Sequence, residues 1–293
     1  MKKAILMYNP LSGSQVVPMA LDSIVERFQE KDIIIQPYRI GTGLPNLLLT
    51  TLEQEHYDFA VVSGGDGTLN TAVNALMKLN LSIPVGFIPS GTCNDFARCL
   101  GLPLSLHEAI DVILEGKMTE VDVGLIDEKQ YFLSTCAGGL FVDVSFNTNN
   151  EMKRNFGPLA YYLKALTEVV NIRPFSIKIT TKDRVVEGEA ILLIILNGKH
   201  VGGFYDVIKE ADFQDGMMDI VMVKNCSHID LASLFFKVIS REALPDTHVV
   251  KMKADECTLE CEKHVQFSVD GEEGKGVPKK IRFIHRGLSV FVP

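Results

Sequence analysis

The sequence predicts two domains: an α/β N-terminal domain doubly wound around a parallel sheet, and a mainly β C-terminal domain of sandwich type. Three observations carry that prediction. Up to about residue 125, short apolar runs alternate with segments of helical spacing. A glycine-rich turn, Ser63-Gly64-Gly65-Asp66-Gly67, joins the apolar run 58–62 to a helical pattern with Leu69, Ala72, Val73 and Leu76. Beyond about residue 125 the rhythm becomes that of strands, joined by turn pairs such as Asp215-Gly216 and Asp270-Gly271.

In chain order, residues 3–8 read as the first strand. Residues 18–30 read as a helix, with Leu21, Ile24, Val25 and Phe28 on one face. Ile33-Ile34-Ile35 is a strand, 44–55 a helix, 58–62 the central strand, 68 onward a helix and 84–88 a strand. In the second half, strands are expected at 131–137, 175–181, 185–197, 218–223, 249–259 and 264–269, with helices at 158–170 and 227–239. The domains are therefore placed at 1–125 and 126–285, with a strand-like tail, 286–293, free to return to the first. No Pro/Gly/Ser-rich linker separates them.

Composition narrows the class. The 293 residues are 46% hydrophobic and 23% charged, as in an ordinary globular protein. No apolar run reaches membrane-spanning length, and 190–196 reads as a buried strand. The start, Met1-Lys2-Lys3-Ala4-Ile5-Leu6, lacks the long apolar core of a signal peptide. Six scattered cysteines and no export signal point to reduced thiols in the cytoplasm. A net charge of −8 argues against nucleic acid as a partner. The seven histidines show no metal-ligand spacing and read as surface or core residues.

The chemistry is expected at the carboxyl ends of the first domain's strands, where doubly wound sheets bind ligands. Asn9-Pro10-Leu11-Ser12-Gly13 follows the first strand, Gly64 to Thr68 the central one, and Pro89-Ser90-Gly91-Thr92-Cys93-Asn94-Asp95 the next. Glycines let backbone N–H groups approach a phosphate, and a helix N-terminus adds partial positive charge. Asp66 lies in such a turn. A carboxylate beside a phosphate needs a cation between them, and Mg²⁺ is the usual one. Asp95 and Asp122 add two more acids at or near strand ends. The commoner role of an Asp beside a Gly is a turn. Neither a P-loop nor a G-x-G-x-x-G fingerprint is present.

Gly64-Gly65-Asp66-Gly67-Thr68-Leu69-Asn70, followed by Pro89-Ser90-Gly91-Thr92-Cys93-Asn94-Asp95-Phe96-Ala97-Arg98, resembles the diacylglycerol kinase catalytic-domain family. More narrowly, the chain is similar to soluble bacterial lipid kinases of the diacylglycerol kinase B and YegS type. The first motif is shared with NAD kinases, and the second is more specific. Further matches are Asp122-Val123-Gly124, Asn197-Gly198, Gly202-Gly203, Asp215-Gly216 and Asp270-Gly271-Glu272.

The resemblance implies a kinase that uses ATP and Mg²⁺ to phosphorylate a lipid hydroxyl, such as that of diacylglycerol, with its active site in the cleft between the domains. It places Asn9, Pro10, Leu11, Ser12, Gly13, Thr42, Gly64, Gly65, Asp66, Gly67, Thr68, Leu69, Asn70, Thr71, Thr92 and Asn94 around the nucleotide. Asp66, Asp95 and Asp122 would surround the catalytic Mg²⁺. Glu272 would take the hydroxyl proton, with Asp270 orienting or assisting, the choice between the two staying open. A second, structural Mg²⁺ maps to Asp212, Asp215 and the carbonyl of Met217. The lipid substrate implies a cytoplasmic protein that visits a membrane surface transiently. A homodimer is left open.

Two departures stand out. Thr71 occupies a position where the family usually has Glu, and Ile208-Lys209-Glu210-Ala211 replaces a proline-containing approach to the Asp-Gly turn. Two alternatives remain: a soluble-metabolite kinase of the NAD-kinase kind, and a nucleotide sensor without catalysis. Helix 158–170, with Leu159, Tyr162, Leu163, Leu166 and Val170, reads as core packing or as an entry for an acyl chain. Lys153, Arg154 and Phe156 read as a solvated loop or a headgroup contact.

Overall fold

The computed structural model describes residues 1–12, 16–41, 45–140, 142, 173–200, 202, 207–242, 244 and 247–293. Two compact units emerge: Met1–Val121 with Arg286–Pro293, and Asp122–His285.

In the first unit, β1 (Lys2–Tyr8), β2 (Ile33–Arg39), β3 (Phe59–Gly64) and β4 (Val85–Pro89) form a parallel sheet in the order β4-β3-β1-β2. The central β3 is buried along its whole length, which explains its unbroken apolar run. β2 continues four residues past the expected Ile33–Ile35 run, through Pro37. It lies at the edge of the sheet, where a residue without an N–H is tolerated. Helices α1 (Val16–Gln29), α2 (Pro45–Gln54), α3 (Asp66–Lys78), α4 (Asp95–Cys99) and α5 (Leu106–Glu115) connect the strands. α1 buries Val17, Ile24 and Phe28, one stripe of its surface. α3 begins at Asp66, two residues before the expected Thr68, so Asp66 is the first residue of the helix and Gly65 its cap.

β5 (Met118–Ile126) contributes residues to both units, and so does β15 (Lys280–Phe291), whose Val290 pairs with Val85 of β4.

The second unit is almost entirely antiparallel. Its strands are β6 (Gln130–Phe132), β7 (Thr135–Gly139), β8 (Phe175–Thr181), β9 (Val185–Leu196), β10 (Met218–Lys224), β11 (Val249–Ala254), β12 (Glu256–Cys261), β13 (Phe267–Val269) and β14 (Glu272–Glu273). The sheet runs β14-β13-β7-β9-β8-β12-β15, with β10 on β9 and β11 on β10. Strands β9 and β10 are apolar on both faces. Leu193, Ile195, Met218, Ile220 and Met222 enter one core, and Ile191, Leu196, Val221 and Val223 enter another. The second core is shared with Leu231 and Leu234 of α6 (His228–Ile239), whose cap Ser227 accepts the Asp230 N–H.

Two expected strands are each divided. The run 131–137 breaks at Leu133-Ser134, where the backbone N–H groups turn toward the Asp270 carboxylate and not toward a neighbouring strand. The run 249–259 breaks at Asp255, because β11 pairs with β10 while β12 pairs with β8 and β15. β13 is shorter than the expected 264–269. Helix 158–170 and residues Lys153, Arg154 and Phe156 lie outside the described residues.

Candidate active site

The parallel register brings the ends of β1, β3 and β4 side by side: Tyr8 is level with Ser63, and Gly64 with Pro89. The turns that follow are tied together through their backbones. Asn9 N–H donates to Ser63 O at 3.0 Å, and Ser90 N–H to Gly64 O at 2.8 Å. Gly65 and Gly91 press on each other so closely that a Cβ on Gly91 would lie 2.5 Å from the Gly65 Cα. Gly91 needs to be glycine for that contact, whereas a Cβ on Gly65 would be tight, at 3.2 Å from the Gly91 Cα.

Asn9 accepts the Leu11 N–H at 2.9 Å, folding its own turn. Asn94 adopts a left-handed conformation (φ 51°) and closes the next one. Its Oδ1 accepts Gly91 N–H at 2.8 Å and its Nδ2 donates to Gly91 O at 2.9 Å. The Asn94 side chain thus shapes the turn from within. Thr68 is buried, whereas Leu11 and Thr92 are exposed. Thr71 is also exposed and donates its hydroxyl to Gly67 O at 3.0 Å. Gly13 and Thr42 lie outside the described residues.

Asp66 heads α3 beneath these turns. The Phe96 N–H reaches its Oδ1 over a long 3.3 Å. Burial raises the Asp66 pKa above the ordinary carboxylate value, and backbone N–H groups at Phe96, Asp95, Asp66 and Asn94 pull the other way without cancelling it. Some of the residue surface still reaches solvent, but the carboxyl itself sits deep among protein atoms. Asp95, on the neighbouring α4, is buried. Such an acid gains from a nearby cation, so Asp66 and Asp95 suit a Mg²⁺ site.

Asp122 sits differently. It belongs to the second unit, and its side chain has no exposed surface. Gly216 N–H donates to its Oδ2 at 2.6 Å, and His285 Nδ1 lies 3.0 Å from its Oδ1. Asn197, buried, donates from Nδ2 to Asp122 O at 2.7 Å and to Leu133 O at 2.9 Å. Gly216 has φ +74°, and a Cβ there would approach the His285 ring to 3.1 Å.

Asp270 is 6% exposed, with φ +49°. Its Oδ2 accepts Leu133 N–H at 2.8 Å, and its Oδ1 accepts Ser134 N–H at 2.8 Å and Thr135 N–H at 2.9 Å. Glu272, two residues on, is exposed in β14. In the loop 212–217, Asp212 Oδ1 accepts Gln214 N–H at 3.0 Å and Asp215 Oδ1 accepts Met217 N–H at 2.9 Å. Lys253 Nζ lies 2.5 Å from Asp215 Oδ2.

The structure thus gathers Asn9 to Ser12, Gly64 to Thr68, Asn94 and Asp95 at one sheet edge. His285 and Lys253 were missed in the sequence. Each lies in a strand, and no local motif links His285 to Asp122, 163 positions away.

A parallel sheet that gathers glycine turns and a buried acid at its carboxyl edge has the form of a phosphate-binding α/β domain, and that is the class the fold defines. Its relatives narrow the class. Residues 3–126 match the diacylglycerol kinase catalytic domain, and residues 138–292 match the YegS C-terminal NAD kinase β sandwich-like domain. The chain is 31% identical to a diacylglycerol kinase of Staphylococcus saprophyticus and 28% to one of Bacillus subtilis. Both alignments cover 100% of this chain and, respectively, 96% and 97% of those proteins. A crystal structure of a provisional diacylglycerol kinase from Bacillus anthracis superposes with a TM-score of 0.84 at 29% identity, covering 100% of this chain and 95% of that one. The chain belongs to the diacylglycerol kinase family and is a lipid kinase.

Proposed function

We propose that this protein transfers the γ-phosphoryl group of ATP to the free hydroxyl of diacylglycerol, working in the cytoplasm on a membrane that it visits without crossing. The observation that carries the reading is that the turns after β1, β3 and β4 are tied together at one sheet edge, where Asp66 heads α3 and accepts the Phe96 N–H. No helix among the described residues is long and apolar enough to span a bilayer.

In phosphoryl transfer the protein mainly positions reactants and neutralises charge. The glycines of these turns leave room for the phosphates to come close to the backbone. Asp66, with Asp95, would hold Mg²⁺, which when bound shields the charge of the β- and γ-phosphates. Asp122 has both carboxyl oxygens engaged, by Gly216 N–H and by the His285 ring, and its part is to fix the loop around Gly216. Asp270 holds three backbone amides, which supports Glu272 as the base. Glu272 takes the hydroxyl proton, the lipid oxygen bonds to the γ-phosphorus, and the bond from that phosphorus to the bridging oxygen breaks to release ADP.

The test is transfer of labelled γ-phosphate from ATP to a panel of lipids in mixed micelles, with and without Mg²⁺. Metal-dependent label in diacylglycerol is expected. Label confined to another lipid would reassign the acceptor, and label in none, with ATP still bound, would overturn the kinase reading.

A further inference from the structure

The family resemblance that places one cation at Asp66 also places a second, structural one in the β unit, on Asp212, Asp215 and the carbonyl of Met217. The residues present do not fit it. Both Asp215 oxygens are engaged: Oδ1 by Met217 N–H at 2.9 Å, and Oδ2 by the Lys253 ammonium at 2.5 Å. Asp212 Oδ1 is taken by Gln214 N–H. Lys253 stands on β11 directly across from Asp219 on β10. Its ammonium is paired with Asp215 on a strand position that faces Asp219. A divalent ion on Asp215 would have to expel that ammonium, which costs the Lys253–Asp215 ion pair, or sit against it, which the repulsion between a dication and a cation opposes.

We propose that Lys253 takes the place of the second divalent ion, so that the loop 212–217 is held by a cation of the chain's own. The loop has a job that requires holding. Its Gly216 N–H meets the Asp122 carboxylate at 2.6 Å, and its backbone packs on the His285 ring. Lys253, through Asp215, is thereby a second brace on the loop that Asp122 also fixes at Gly216. The metal requirement reduces to the ion that accompanies the nucleotide. None of this depends on which lipid accepts the phosphate.

The test is thermal unfolding of the full chain without nucleotide, in EDTA and in millimolar MgCl₂. The quantity to read is the Mg²⁺-induced rise in Tm of the wild type minus that of Asp215→Asn. It is expected to be zero, and a positive difference, an ion held by Asp215 in the unaltered chain, overturns the proposal. Lys253→Met is expected to melt about 2–4 °C lower in EDTA and to recover in Mg²⁺ through Asp215. The double variant Lys253→Met, Asp215→Asn should not recover. Lys253→Arg should behave as the wild type. A Lys253→Met protein that folds but gains nothing from Mg²⁺ also overturns the exchange of lysine for metal. If Lys253→Met does not fold, the wild-type comparison decides alone.

Discussion

Asp66 and Asp270 each precede a glycine at the end of a strand, yet their surroundings set them to opposite tasks. Asp270 is buried and holds three backbone N–H groups at 2.8–2.9 Å, closing the turn that separates β6 from β7. Asp66 is held loosely, with its Phe96 contact at 3.3 Å, and burial outweighs its backbone partners so that its pKa rises. A carboxylate saturated with short amide bonds stabilises a fold. One whose charged form burial disfavours more than its amide partners favour it stands to gain from a ligand's positive charge.

The largest effect expected from this contrast is at Asp66. Asp66→Asn should lower turnover by about 10²–10³-fold while leaving the fold intact. Its stability effect has a definite sign. A raised pKa in the folded state means that ionising Asp66 opposes folding. That cost is absent below the ordinary carboxylate pKa and grows as pH rises through the raised value. Without nucleotide or metal, Asp66→Asn should therefore raise Tm at pH 7 and lose the advantage under acid conditions. Unchanged turnover in Asp66→Asn or Asp66→Ala would remove Asp66 from the metal site.

Glu272→Gln comes next. It should reduce kcat by about 10²-fold, with the KM for ATP nearly unchanged, since a base acts on the chemical step. Weak ATP binding with normal turnover would reassign it to the nucleotide. Asp270→Ala should act mainly on folding. Leaving three buried amides without acceptors is expected to cost about 2–4 kcal/mol of unfolding free energy, read by urea denaturation. Loss of turnover in Asp270→Ala at full stability would break the contrast by making Asp270 a catalytic group. The smallest effect is expected for Thr71→Glu, which restores the acid usual in the family at an exposed position. Stability should stay within about 0.5 kcal/mol, and a large change in the KM for ATP would show that Thr71 touches the nucleotide.

Much of the first unit was legible because its signals are local. A strand, a glycine turn and an amphipathic helix lie next to each other in the chain, and their order implies a parallel sheet with its ligand edge at the turns. The errors came where a distant residue intervenes. The run 131–137 has the composition of one strand, but Asp270 draws its amides away. The run 249–259 reads as one strand because periodicity does not reveal that its two ends pair with different neighbours.

By itself the sequence determined the class of each domain, the strand order of chemistry along the first unit, and the family. Hydrophobic period and turn residues act over a few positions, and motifs are contiguous. Only the tertiary structure decided which acids are occupied. Asp122 meets His285 and Gly216, Asp215 meets Lys253, and Asp270 meets the 133–135 backbone. Those partners are 38 to 163 positions apart, and a carboxylate's role depends on which donors the fold brings to it.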